Sequence, residues 1–236
     1  MLFIGYSSKD RYTIVEPILF HLKHLGLEVW YDFTDMFLGD NRYLTNFEHG
    51  IGDAAYIAFV ISPNLFTSHC AIEELSFAKR IVEEKHAVIF PIFYQFSPNN
   101  LKNEYEWLKN YIYNEVTSDS GTKHVAYQIA ERIMHDDMQS FSVLSIESLL
   151  QKENLGEGYV KELLECCQNT DERNYGVRMG LLYSLFQYLP AIDTKYNKAI
   201  RYIFSLLQMN ENPDHLIYSV FEKCILGYLC CQLTVH

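Results

Sequence analysis

The 236-residue chain is long enough for one large domain or two small ones, and its 49% hydrophobic and 21% charged residues are those of a globular protein, not a disordered one. A net charge of -11 and a pI near 5.2 argue against a surface that tracks nucleic-acid phosphates. The most apolar late stretch, Leu216 to Val235, carries Glu222 and Lys223 near its middle, which excludes a uniform ~20-residue membrane span.

Leu2-Phe-Ile-Gly-Tyr6 is a short apolar run suited to a central parallel strand. Ser7 to Asp10 supply turn and cap residues, and Arg11–Leu25 carries Ile14, Ile18, Leu22 and Leu25 at helical spacing until Gly26 stops it. Leu27–Tyr31 reads as a second strand, Asp32–Asp40 as a loop rich in acids and aromatics, and Asn41–Ile51 as a weaker helix. Ala54–Ile61 is a third, buried strand, closed by Ser62-Pro-Asn. Ser68 can cap a helix that begins near Cys70 and runs through Glu74, Leu75 and Ala78. Ala87–Phe93 is a fourth strand, in which Pro91 suggests a strained or edge-like end. Tyr94–Asn103 reads as loop, Tyr111–Val116 as a short fifth strand and Thr122–Met134 as a helix.

Strand and helix thus alternate about five times, which predicts a parallel sheet covered on both faces. From Phe141 the pattern is helical throughout, with apolar faces at Val143–Leu150, Tyr159–Cys166, Val177–Leu189, Ala199–Leu207 and Leu216–Leu229. The boundary falls in Asp136–Ser140, with Ser140 or Ser142 capping the next helix. The last three faces recur at roughly 17–18 residue spacing, compatible with either a helix-hairpin repeat or a plain bundle. Lys9 and Asp10 follow only a short apolar start, so no export signal is expected. The six cysteines form no CxxC pair, and Cys166-Cys167 and Cys230-Cys231 are adjacent doublets. They read as free, mostly buried thiols in a reducing, cytoplasmic compartment.

Local sequence is more specific than this outline. Phe3-Ile-Gly-Tyr-Ser-Ser-Lys-Asp10 resembles the opening of TIR (Toll/interleukin-1 receptor) domains, which often read F-I-S-Y-S-x-x-D. Leu25–Asp32 is similar to the family's G-x-x-V-W-x-D strand, Leu38-Gly-Asp40 to its L-x-x-G-D loop end, and Ser62–Leu75 to its S-x-x-[YF]-x-x-S-x-W-x-x-x-E-L segment. Two positions depart from the pattern. Gly5 replaces a common serine, a mild change in a strand, and Cys70 stands where tryptophan is usual.

The resemblance implies a flavodoxin-like five-stranded parallel sheet over residues 1–137; the helical pattern that follows is read as an all-α domain over 138–236, expected to sense, recruit or oligomerise. The resemblance further implies cleavage of NAD at the nicotinamide–ribose bond with Glu74 as the catalytic residue, NAD being the substrate and no cofactor or metal being needed. The expected NAD-contacting residues are Tyr6, Ser7, Phe33, Asp40 and Cys70. Within that set Asp40, with Gly39, is expected chiefly to shape the loop; Phe33 either stacks on the nicotinamide or covers core; and Cys70 either lines the pocket or packs as a small hydrophobe. Trp30, within a strand, is expected in the core. Expected partners are further copies of the chain and an activating protein or ligand at 138–236, with no nucleic acid and no membrane. Related bacterial layouts suggest an antiphage effector. A non-catalytic scaffold signalling through the Asp32–Asp40 loop, and a cyclase making a cyclic ADP-ribose signal, are the competing readings.

The residues suit this chemistry. A glycosidase needs a second carboxylate to protonate its leaving oxygen, whereas the pyridinium of NAD already leaves as a neutral base. One carboxylate that holds the ribose hydroxyls and stabilises the oxocarbenium-like charge is sufficient. Glu74, near a helix N-terminus, is expected to be ionised at neutral pH; Glu73, about 100° around the helix, is expected in solvent. The alternative for both is simple complementation of the helix dipole. Gly50-Ile-Gly52-Asp-Ala-Ala55 matches G-x-G-x-x-A by chance, because it precedes a strand instead of following one. His21 and His24 lack a third ligand nearby in sequence and read as a packed or solvated pair.

Overall fold

Continuous apolar runs bounded by turn residues become buried strands wherever helices can cover both faces, and the first 130 residues follow that rule. The computed structural model describes residues 1–116, 121–139, 143–155, 158–191, 200 and 215–234. The chain divides into two units, Met1–Ala130 and Glu131–His236, the division falling within one helix, Thr122–Gln139.

In the first unit, β1 (Leu2–Gly5), β2 (Val29–Trp30), β3 (Tyr56–Ile61), β4 (Val88–Tyr94) and β5 (Asn114–Val116) form a parallel sheet in the order β2-β1-β3-β4-β5. The chain leaves β1 toward one edge through α1 (Glu16–His24) and returns past it to β3. The strand order therefore reverses between β1 and β3, and the crevice at their C-terminal ends is where open α/β sheets bind ligands. β2 keeps only two residues of its expected five, and the fifth strand begins at Asn114 instead of Tyr111. The Asp32–Asp40 loop holds one helical turn, α2 (Asp32–Asp35), closed by the Asp35 carboxylate accepting from the Tyr31 N–H.

Pro91 sits opposite Phe59 in the ladder with β3, but β5 first pairs with β4 at Ile92. β4 is thus interior by topology yet locally an edge at the residue that cannot donate, which accommodates the proline. The weak helix after the loop is π-helical, Tyr43–Ile51, ending with the Gly52 N–H on the Phe47 carbonyl. The Ser68 hydroxyl accepts from the Ala71 N–H at 3.3 Å and caps α3 (His69–Lys85), which buries Ala71, Leu75, Ala78, Ile81 and Val82 against the sheet and stops at His86 in the left-handed region. At Gly5 the structure corrects the expectation of a mild change: a Cβ there would lie 2.3 Å from the Phe59 ring, so the buried phenyl of β3 occupies the space a serine would need.

The helix shared by both units is α4 (Thr122–Gln139), which includes residues 136–139 of the segment expected as the boundary; the rest of the second unit follows it. Ser140 and Ser142 lie outside the described residues; the cap found is Ser145, on α5 (Ile146–Leu150), its hydroxyl accepting from the Ser148 N–H. α5 packs on α6 (Tyr159–Asn169), α6 on α7 (Tyr175–Tyr188), and α7 on α8 (His215–Thr234). The expected face Ala199–Leu207, and with it the helix-hairpin repeat, lies outside the described residues apart from Ile200. Arg178 ties this unit together: its guanidinium donates to the Tyr218 hydroxyl, the Cys167 and Thr170 carbonyls and the Glu222 carboxylate. None of the six cysteines forms a disulfide, but only Cys167 and Cys224 are buried, so "mostly buried" does not hold for the set: Cys70 and Cys166 are exposed and Cys230 and Cys231 half-buried. No described helix is long and apolar enough to cross a membrane.

Candidate active site

α3 starts just past the end of β3, so its second turn lifts Glu74 toward the crevice. The Glu74 side chain is only 14% exposed. Its Oε1 accepts from the Asn46 amide at 2.7 Å and lies 3.7 Å from the Arg42 guanidinium. Asn46 is buried, and its own oxygen accepts the indole N–H of Trp30 at 3.3 Å. Arg42 also reaches Glu73 at 3.1 Å and the Cys70 carbonyl at 3.4 Å, and it lies 5.1 Å from the Phe47 ring centroid.

Burial pushes the Glu74 carboxyl up to about 7, and the charge of Asp32 adds to the rise; Arg42 and the Asn46 hydrogen bond oppose it without cancelling it. The net direction is opposite to the one expected from a helix N-terminus, which favours the ionised form. The helix terminus was the wrong comparison, because desolvation in the second turn outweighs the dipole there. Glu74 is thereby as perturbed as carboxylates in functional sites often are.

Asp32 belongs to a second group at the same crevice. It accepts from the Tyr6 hydroxyl at 2.5 Å, while Arg11 donates to that hydroxyl and stands 3.9 Å from the Asp32 carboxylate. Burial, the Asp32 hydrogen bond and its charge hold the Tyr6 phenol well above its ordinary range, so it is a proton donor and never a phenolate. Arg11 lies 4.4 Å above the Phe33 ring, leaving that phenyl 57% exposed beside Asp32. Asp32 thus binds Tyr6 and acts on Glu74 through its charge, while Phe33 joins this group through Arg11.

The remaining expected residues are placed differently. Ser7 is buried, and its carbonyl accepts from the Asp10 N–H in the turn leading to α1. Asp40 folds its own loop, its carboxylate accepting from the Phe37 N–H at 2.7 Å beside Gly39 at φ +102°. Cys70 is exposed at the start of α3, so the reading of it as a buried hydrophobe does not hold. Trp30 is only partly buried and works through its N–H. Glu73 is exposed and paired with Arg42 and His69. His21 packs against Tyr127 and His24 on Phe20. Among the described residues no three His, Cys, Asp or Glu side chains gather as a metal set. Asp32, Arg42, Asn46 and Arg11 were not singled out from sequence; only the D of the G-x-x-V-W-x-D strand marked one of them.

The family model of the TIR domain matches residues 2–128. The chain belongs to the TIR domain family. This TIR domain is 27% identical over 130 residues to the NAD(+) hydrolase TcpC of Escherichia coli, an alignment covering 55% of this chain and 42% of that protein. It is 25% identical over 134 residues to the 2' cyclic ADP-D-ribose synthase AbTIR of Acinetobacter baumannii, covering 57% and 49%. It is 28% identical over 136 residues to the NAD(+) hydrolase TirS of Staphylococcus aureus, covering 57% and 48%. The chain spans about half the length of the curated relatives it matches, and each alignment is about the length of its TIR unit.

Proposed function

We propose that this TIR domain cleaves NAD at the nicotinamide–ribose bond, with Glu74 as the catalytic carboxylate. The observation that carries the reading is a mostly buried carboxylate at the strand-order reversal with one oxygen held and its pKa raised to about 7. The names of the relatives, two NAD hydrolases and one cyclic ADP-ribose synthase, point to the same substrate.

In the proposed reaction the C1'–N bond breaks heterolytically, its electron pair passing to the pyridinium nitrogen, so that neutral nicotinamide leaves. Positive charge develops on the ribosyl carbon and ring oxygen, and ionised Glu74 stabilises it while accepting hydrogen bonds from ribose hydroxyls. Water attack on C1', with loss of its proton to solvent, gives ADP-ribose; attack by a hydroxyl or adenine nitrogen of the same molecule gives a cyclised product. The substrate's own cation favours the ionised form of Glu74, which compensates for burial. Tyr6 and Arg11 hold Asp32 near the carboxylate, and exposed Phe33 offers a face for the nicotinamide ring.

Phe37 and Leu38 are fully presented on the loop after β2, at 74% and 108% exposure, and suit contact with another copy of the chain. Activation by assembly of a cytoplasmic homo-oligomer, triggered through residues 138–236 and depleting NAD against phage, is the cellular form of this proposal. The test is NAD consumption with product analysis for wild type and Glu74→Gln at several protein concentrations. Turnover that rises more steeply than concentration and vanishes in the variant supports enzyme and assembly together. Turnover that survives Glu74→Gln overturns the assignment, and the product distinguishes hydrolase from cyclase.

A further inference from the structure

We propose that Asn46 is the positioning residue of this site: its amide holds one oxygen of Glu74 so that the other stays free for the ribose hydroxyls, and Trp30 fixes which way round that amide sits. The inference rests on Glu74 as the reacting carboxylate.

The orientation follows from donor chemistry. An indole N–H can only donate, so the atom of Asn46 facing Trp30 at 3.3 Å must be the amide oxygen. The amide nitrogen is then left to face Glu74 at 2.7 Å. Turning the amide over would set N–H against N–H on one side and oxygen against oxygen on the other. Asn46 is 2% exposed, so water cannot relieve either clash. Gly50 makes the approach possible: a Cβ at that position would lie 2.7 Å from the indole nitrogen. Three elements thus converge on one carboxylate, β2 through Trp30, the π-helical segment through Asn46 and Gly50, and α3 through Glu74.

Both groups that touch Glu74 touch the same oxygen, Oε1; Oε2 has no hydrogen-bond partner among the described residues. The terminal torsion of glutamate is broad, so an unheld carboxylate in this position would sample many orientations. Fixing it in advance is what a near-attack geometry demands. The charged groups bearing on Glu74 are Asp32, which opposes its ionisation, and Arg42, which favours it and is shared with Glu73. The Asn46 hydrogen bond favours the ionised form as well.

The test compares wild type with Asn46→Leu, Trp30→Phe and Gly50→Ala in the full chain, reading two quantities. The first is the Glu74 carboxyl titration by ¹³C NMR, assigned by its absence in Glu74→Gln. The second is NAD turnover. The expected result is a Glu74 titration displaced upward by roughly half to one pH unit in Asn46→Leu. With it, kcat falls about tenfold or more while KM stays within about twofold. Trp30→Phe and Gly50→Ala, which leave Asn46 in place, move both readouts in the same direction by less. A Glu74 titration identical in wild type and Asn46→Leu overturns the inference. Should Asn46→Leu fail to fold, an unchanged titration in both Trp30→Phe and Gly50→Ala overturns it equally. If wild type turns over no NAD, the catalytic reading fails by itself, and the titration still decides what Asn46 does to Glu74.

Discussion

Replacing Glu74 by Gln should stabilise the protein at high pH, and the size of the gain follows from the site. The carboxyl rises from an ordinary 4.5 to about 7, with burial as the largest cause. Between those values the folded chain binds more protons than the unfolded one, so stability falls as pH rises through the window and the loss is complete above about 7. This is the reverse of a salt-bridged carboxylate, which stabilises once ionised. At ~1.4 kcal/mol per pKa unit the rise from 4.5 to about 7 corresponds to at most about 3.5 kcal/mol, and a side chain 14% exposed needs little discount for solvent screening. Gln keeps an oxygen for the Asn46 amide and removes the charge. Glu74→Gln should therefore exceed wild type by about 1–3 kcal/mol at pH 8 and by nothing below about pH 4.5. Both tryptophans, Trp30 and Trp107, lie in the first unit, so urea unfolding followed by their fluorescence reports that unit alone. A variant no more stable than wild type at pH 8, or one whose advantage grows as pH falls, would refute the argument that Glu74 is held there against its solvation.

The other predictions concern rate and packing. The kcat/KM for NAD should climb with pH to a plateau above about 7, because free enzyme must lose the Glu74 proton. The acid limb of kcat should lie lower, since bound pyridinium favours the carboxylate; a profile flat from about pH 5.5 to 8 would exclude Glu74 as the ionised group. Gly5→Ser should destabilise by about 1–3 kcal/mol through collision with Phe59, and Phe59→Leu in the same chain should recover part of that in urea unfolding. Arg178→Met should destabilise the second unit by about 3 kcal/mol, read from the loss of helical circular dichroism on heating, because two carbonyls lose a donor and Glu222, which keeps the Tyr218 hydroxyl, loses its cationic partner.

The sheet was legible because each parallel strand is a contiguous apolar run with turn residues after it, information held within five or six neighbours. Element ends were less so: β2 shrank to Val29–Trp30, where pairing needs β1 opposite, and the helix expected over Thr122–Met134 runs on to Gln139. Gly5 shows the limit of reading a substitution by its own chemistry. In sequence it is a small residue for a small residue, and only the Phe59 ring across the ladder makes it obligatory.

The site was half legible for a related reason. Glu74 could be picked out because a motif and a strand-to-helix junction both mark it. Its partners could not: Asn46 and Arg42 lie 28 and 32 positions earlier, in the segment whose helical signal was weakest. Local reasoning saw a carboxylate near a helix N-terminus and assigned it the charge that a dipole favours. The fold instead surrounds that carboxylate with β2, the π-helical segment and α3, and adds Asp32 from the loop. Both effects act against ionisation, and neither has a sequence signature. Under the proposed reaction, a carboxylate kept where folding alone disfavours its charge would meet a ligand that supplies a positive one, and a pyridinium dinucleotide would do so at the atom that leaves.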